Sequence, residues 1–160
     1  MPEDNLRVEL TAAALEIRQL AEQLNQRFVF AESCTSGLAA SWIGSQPGIS
    51  EYFCGSHVSY RNDSKRRWLQ VSPEDLEVVG AVSPAVALQM AQGALSQTPE
   101  AKVAVSITGH LGPEAPDGLD GVIYIGVAIR LDADLEAACH RLVIPPATRA
   151  TRQEMATLAM

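Results

Sequence analysis

Short apolar segments of strand length alternate with helical segments along most of this chain, and that order limits its fold more than any other feature. Residues 6–24 carry apolar side chains at Leu6, Leu10, Ala13, Ala14, Ile17, Leu20, Ala21 and Leu24, a helical spacing that paints one stripe. Arg27 to Ala31 reads as a short buried strand. Leu38 to Ile43 reads as a helix that Pro47-Gly48 ends, and residues 53–60 read as a second strand. Asn62-Asp63-Ser64 can cap a short helix through Leu69. Ser72-Pro73-Glu74-Asp75 is a helix start, and Ser83-Pro84 repeats the device to open a helix through about Leu95. Lys102 to Thr108 is a strand. Residues 109–121 are too rich in Gly and Pro to be anything but a loop. Val122 to Leu131 and Leu135 to Ile144 form a hairpin about Asp132-Ala133-Asp134, and a short helix follows Pro145-Pro146.

The order is α-β-α-β-α-α-β-loop-β-β-α. Helices between strands demand crossovers, hence an α/β fold with a largely parallel sheet and helices on both faces; the late hairpin makes one strand antiparallel. No repeat or linker breaks the pattern, so residues 1–160 are expected to form one domain, long enough to bury a core without disulfides or metal. The three cysteines, Cys34, Cys54 and Cys139, match neither a disulfide framework nor a zinc ribbon. His57, His110 and His140 match no metal-ligand spacing, so no metal is expected. The formal net charge of −7 argues against general nucleic-acid binding. The polar start Met1-Pro2-Glu3-Asp4-Asn5 lacks the pattern of a signal peptide. No apolar run approaches the roughly 20 residues that span a bilayer, so a cytoplasmic protein without membrane contact is expected.

Three segments fall where a strand gives way to a helix or loop, the edge at which parallel α/β sheets bind ligands. The first is Ala31-Glu32-Ser33-Cys34-Thr35-Ser36-Gly37. Ser33 has the placement of a nucleophile, with free N–H groups of a helix start beside it to hold an anion or oxyanion. The other reading is that Ser33, Thr35 and Ser36 cap the helix. Glu32 fits either an acid–base or a structural role. The second is Tyr60-Arg61-Asn62-Asp63-Ser64-Lys65. A buried Lys65 would lose its proton readily and serve Ser33 as base, directly or through Tyr60; otherwise it is a solvated neighbour of Arg66 and Arg67. The third is Ser106-Ile107-Thr108-Gly109-His110-Leu111-Gly112-Pro113. It is a glycine-bearing loop that lets backbone approach a ligand, and it is neither a Walker loop nor a Rossmann fingerprint.

Together these segments resemble the CinA C-terminal domain family. That family's Ala-Glu-Ser-Cys-Thr-Gly-Gly stands here as residues 31–37. Its Pro-Gly-x-Ser stretch is Pro47-Gly48-Ile49-Ser50, and its Val-x-Tyr-x-Asn-x-x-Lys stretch is Val58 to Lys65. Gly80-Ala81-Val82-Ser83 and Thr108-Gly109-His110-Leu111-Gly112-Pro113 complete the series, which spans residues 6–158. The resemblance implies a three-layer α/β/α sandwich with a mixed, mostly parallel five-stranded sheet. It implies a nicotinamide-nucleotide amidohydrolase that converts nicotinamide mononucleotide to nicotinate mononucleotide and ammonia. Ser33 would be the nucleophile and Tyr60 and Lys65 its activators, Lys65 drawing the proton through Tyr60 and N–H groups near Thr35 and Ser36 holding the oxyanion. Substrate would be bound by Glu32, Thr35, Ser36, Gly37, Thr108, Gly109, Gly112 and Arg152. No metal or organic cofactor is implied. A homodimer is, with the Met-bearing C-terminal helix as a candidate contact. Full-length members carry an N-terminal pyrophosphatase-like domain for which this chain leaves no room. The chain departs from the family at Ser36, which replaces a Gly, and in the acidic loop 114–121. It departs again at Pro146-Ala147-Thr148, where the family shows Gly-Asp-Arg and after which Arg152 matches a second Arg. These departures keep two alternatives open: an amidase for another small amide, and a ligand-binding or assembly domain without turnover.

Overall fold

Strand β1 (Phe28–Glu32) is buried at every residue, and the rest of the molecule is arranged about it. In this computed structural model, which describes residues 2–132 and 134–160 and side chains from residue 5 onward, β1 lies parallel to β2 (Phe53–Val58) on one side. It lies parallel to β3 (Val103–Gly109) on the other. Strands β4 (Val122–Arg130) and β5 (Leu135–Val143) add antiparallel pairings, giving a five-stranded sheet of order β2-β1-β3-β4-β5. Only β4 runs against the others, as the hairpin requires. Ala133, in the turn expected between β4 and β5, lies outside the described residues, as does Met1.

A strand buried on both faces needs apolar residues of both parities. Val29 and Ala31 face a cluster built on α5 (Pro84–Gln97) with Val86, Met90, Ala94 and Leu95. Phe28 and Phe30 face the opposite layer, where they meet Phe53 at ring-centroid separations of 5.2–5.4 Å. That layer is made by α1 (Pro2–Leu24), α2 (Leu38–Gly44) and α6 (Arg149–Ala159). The molecule is the three-layer α/β/α sandwich expected. The apolar face of α6 is used inside it: Ala156 is buried, and Met155 and Met160 pack against the core. Met155, Leu158 and Met160 are only half-buried.

Between β2 and β3 the chain forms three helices, α3 (Asn62–Leu69), α4 (Pro73–Val78) and α5, one for each of the starts read at Asn62, Ser72 and Ser83, although the element order read from the sequence counted only two. Each Ser-Pro pair starts a helix of its own. Ser72 Oγ accepts from Asp75 N–H and Ser83 Oγ accepts from Val86 N–H, both at 3.3 Å, with Pro in the first turn. The chain leaves β1 toward β2 on one side and leaves β3 toward β4 on the other. The strand order thus reverses at β1, opening a crevice at the carboxyl ends of β1 and β3. Among the described residues no helix is long and apolar enough to cross a membrane.

Candidate active site

The chain leaves the sheet at Ser33. Ser33 N–H still donates to Ile107 O of β3 at 3.0 Å, and Ser59 N–H, just past β2, donates to Glu32 O at 2.8 Å. Ser33 is thus placed with the precision of the sheet itself. The next residues turn sharply: Ser36 N–H donates to Ser33 O at 3.1 Å, with φ of 54° at Ser36 and 93° at Gly37. Both are left-handed conformations that favour glycine, which is why the family pattern has Gly at both places.

Glu32 organises this turn. Its carboxylate is fully buried (0 % exposed) and accepts five hydrogen bonds. Thr35 Oγ1 (2.7 Å), Gly37 N–H (3.0 Å) and Ala39 N–H (3.1 Å) share one oxygen. Ala40 N–H (3.0 Å) and Ser56 Oγ (2.9 Å) share the other. The negative charge sits at the N-terminus of α2 and satisfies its free donors. The alternative in which Ser33, Thr35 or Ser36 caps α2 is corrected: Gly37 is the cap residue, and Glu32 supplies the acceptor. Glu32, the Thr35 hydroxyl and Gly37 N–H are consumed in holding the turn and are not free to bind substrate. Ser36 N–H is likewise committed to Ser33 O. Among the described residues the N–H groups of Cys34 and Thr35, beside Ser33, have no oxygen acceptor and are free to receive one from a ligand.

Lys65 reaches this turn from the first turn of α3. Its side chain is buried (1 % exposed), with Nζ 2.8 Å from Ser33 Oγ and donating to Ser59 O at 2.6 Å. Desolvation pushes its pKa down to about 8, against a weaker opposing pull from Cys34. The reading of Lys65 as a solvated neighbour of Arg66 and Arg67 is therefore wrong: they point to solvent and pair with Asp63. The relay through Tyr60 is also corrected, because amine and hydroxyl are in direct contact. Tyr60 is half exposed, and its hydroxyl accepts from Arg149 Nη2 at 2.7 Å. Beside Ser33, the Cys34 thiol stays protonated, since burial pushes its pKa up to about 12.

A cavity of about 310 Å³ opens over the Ser33–Lys65 pair, walled by Tyr60, Thr108, the loop from Gly109 to Ala115, and Arg149. The loop is closed at its base by His110 N–H to Val122 O (2.9 Å) and Gly121 N–H to His110 O (2.8 Å). Its first two glycines are set by packing, and Gly112 also by its positive φ of 71°. A Cβ at Gly109 would stand 2.5 Å from Ile123 Cγ2, and one at Gly112 would stand 2.8 Å from Arg152 Nη1. Thr108 lines the cavity while its hydroxyl donates to Ala81 O at 2.7 Å. His110 lines it too, and burial lowers its pKa.

Arg152 is not in the cavity wall. Its guanidinium is buried and makes a two-pronged ion pair with Asp120 at 2.7 Å for each prong, which tethers the loop and holds the Asp120 carboxyl below the usual range. Arg149 takes the place expected of Arg152. Its Nη1 donates to Gly112 O at 2.7 Å while Nη2 holds Tyr60. Thr148, at the position of the family's first Arg, is instead the N-cap of α6, accepting from Thr151 N–H at 3.2 Å. The signal for Arg149 was present: it lies three residues before Arg152, on the same side of a helix.

A serine hydroxyl in contact with a desolvated lysine, at the reversal point of an α/β sheet, defines a domain that places a Ser–Lys pair beneath a small cavity. The chain belongs to the CinA C-terminal domain family, whose model matches residues 10–160. It is 47% identical over 105 residues to a CinA-like protein of Syntrophomonas wolfei, covering 64% of this chain and 25% of that protein. It is 32% identical over 154 residues to a putative competence-damage inducible protein of Alkaliphilus metalliredigens, covering 95% of this chain and 36% of that protein. The chain thus spans about a quarter to a third of the length of these relatives. The solved structure of competence/damage inducible protein CihA from Agrobacterium tumefaciens superposes with a TM-score of 0.87 at 30% identity, over 94% of this chain and 90% of that one. A CinA superfamily protein from Escherichia coli gives 0.75 at 30% identity, over 93% and 83%.

Proposed function

We propose that the domain hydrolyses the carboxamide of nicotinamide mononucleotide to nicotinate mononucleotide and ammonia. The observation that carries this reading is the 2.8 Å contact between Lys65 Nζ and Ser33 Oγ, with both groups buried at the cavity floor. Neutral Lys65 takes the proton as Ser33 Oγ bonds to the carboxamide carbon. The N–H groups of Cys34 and Thr35 receive the oxyanion. Lys65 returns the proton to the departing ammonia, then takes one from the water that cleaves the acyl–Ser33 ester.

Arg149 supports the nucleotide half of the reading. It places a guanidinium in the cavity wall, a group suited to a phosphate, so the Arg missing from the family pattern is supplied one position later. A second reading, an amidase for another small amide, draws on Glu114, which adds a carboxylate to the same wall. The test is ammonia release by the pure protein from nicotinamide mononucleotide and from a panel of uncharged amides, beside Ser33→Ala. Release from the nucleotide that vanishes in the variant supports the proposal. Release from another amide alone supports the second reading, and release that persists in Ser33→Ala removes Ser33 from the chemistry.

A further inference from the structure

Ser59 carries two features that the Ser33–Lys65 pair leaves unexplained. It is completely buried (0 % exposed), and among the described residues its Oγ has no hydrogen-bond partner. A buried hydroxyl without a partner is costly enough that natural proteins rarely keep one without a use. The same residue is pinned at both backbone ends, its N–H on Glu32 O at 2.8 Å and its carbonyl on Lys65 Nζ at 2.6 Å.

Hydrogen counting at Lys65 supplies the use. The neutral amine has two hydrogens and a lone pair. The lone pair accepts from the Ser33 hydroxyl, one hydrogen goes to Ser59 O, and the other is spare at little cost. The ammonium formed when Ser33 loses its proton has three hydrogens. Ser33 Oγ and Ser59 O take two, and the third now carries part of a positive charge into a buried site. The other ionisable groups around the amine do not take it. Cys34 on the β1–α2 turn, Tyr60 after β2, His110 and Glu114 on the long loop, and Arg149 at the start of α6 line the same cavity. None of them is hydrogen-bonded to Nζ. The carboxylate of Glu32 is occupied by its own donors.

We propose that Ser59 is a positioning residue whose hydroxyl turns about its Cα–Cβ bond to accept the third hydrogen of Lys65 when Lys65 takes the proton of Ser33. The step balances. The Ser33 O–H bond breaks, Oγ bonds to the acyl carbon, the carbonyl π pair moves to its oxygen, and the proton rests on Nζ. Ser59 neither gains nor loses a proton; it stabilises the charged base, and releases it when the proton passes to the leaving group.

The kinetic part of this inference rests on the proposed amidase reading, but the titration of Lys65 does not, and the test uses both. Full-length wild type, Ser59→Ala and Ser59→Thr are compared by lysine-labelled NMR titration of Nζ and by the pH dependence of kcat/KM for ammonia release from nicotinamide mononucleotide. Ser59→Ala should lower the Lys65 midpoint by about one pH unit, a tenfold loss of proton affinity. It should lower the plateau kcat, reached above the Lys65 midpoint, by up to about tenfold with KM unchanged. Ser59→Thr, which keeps the hydroxyl, should retain wild-type values. Should the Ala variant fail to fold, Thr against Val repeats the comparison at constant shape. A Lys65 midpoint that does not move when the hydroxyl is removed overturns the proposal. A moved midpoint in a protein that turns over no nucleotide keeps the Ser59 inference and removes the amidase reading.

Discussion

At the scale of single residues, the site is governed by one burial. Lys65 is the largest of the fully buried side chains, and its desolvation produces both a catalytic opportunity and a stability cost. The opportunity is a neutral amine near pH 8, where an exposed lysine would be almost wholly charged. Activity that needs the neutral form should therefore rise with pH through about 8 and level off above it. The cost follows from linkage. The folded pKa of about 8 lies below the unfolded value of about 10.4, so between them the unfolded chain binds more protons. The penalty is fully present below pH 8 and is relieved as pH rises toward 10. Lys65→Met should accordingly be more stable than wild type at pH 7, by a margin of order 3 kcal/mol at most. That margin should shrink as pH rises, while turnover falls by about 10²–10⁴. Denaturant unfolding at pH 7 and pH 10, beside an ammonia assay, checks both. A variant no more stable than wild type at pH 7 would show that Lys65 is not desolvated as described.

At the scale of elements, Glu32 and the two arginines of α6 divide the work of holding the site. Glu32 ties β1, the turn and the start of α2 together, so Glu32→Gln should cost about 2–4 kcal/mol. Gln keeps the shape but offers one oxygen where two now accept, and it brings an NH₂ against the donors of Ala40 and Ser56. Thermal unfolding reads the loss, and a melting temperature equal to wild type would sink the account. Arg149 acts differently, because it lies at the surface end of α6 and holds only Tyr60 and the carbonyl of Gly112. Arg149→Ala should raise KM for the nucleotide by about 10- to 100-fold and change kcat little, with stability within about 0.5 kcal/mol of wild type. An unchanged KM would mean that Arg149 serves the loop alone. The contrast also explains what the sequence could reveal. The strand end bearing Ser33 and the helix start bearing Lys65 were legible because their order follows from alternating apolar segments. The Glu32–Ser56 bond and the roles of Arg149 and Arg152 were not, because each depends on a partner far along the chain. Ser56 lies 24 residues from Glu32, Tyr60 lies 89 from Arg149, and Asp120 lies 32 from Arg152. No local spacing records such pairings, and a family pattern records only that a residue type recurs.

At the scale of the whole molecule, Ser33 and Lys65 come from different crossovers and meet only because β1 and β2 are neighbours in the sheet. Ser33 sits at the end of β1 with its N–H on β3, while Lys65 follows β2 and bonds the carbonyl of Ser59 just past that strand. The strand that joins them, β1, is buried between both helical layers and is the last place where the fold could open locally. The Ser–Lys contact therefore has no stability separate from the sheet. The cavity wall is another matter. The loop from residue 110 to 121 is held by its base hydrogen bonds, the Arg152–Asp120 pair and Arg149, so it can loosen while the sheet persists. Two transitions are expected to separate on that ground. The Lys65 titration, a property of the dyad, should survive on heating until far-UV circular dichroism reports global unfolding. Nucleotide affinity in Ser33→Ala should decline first. In Asp120→Ala, which strands the Arg152 guanidinium, that decline should move to lower temperature by several degrees more than the global transition does. Affinity and ellipticity that fall together in both proteins would mean that the loop is part of the cooperative unit and that the site has no independently mobile wall.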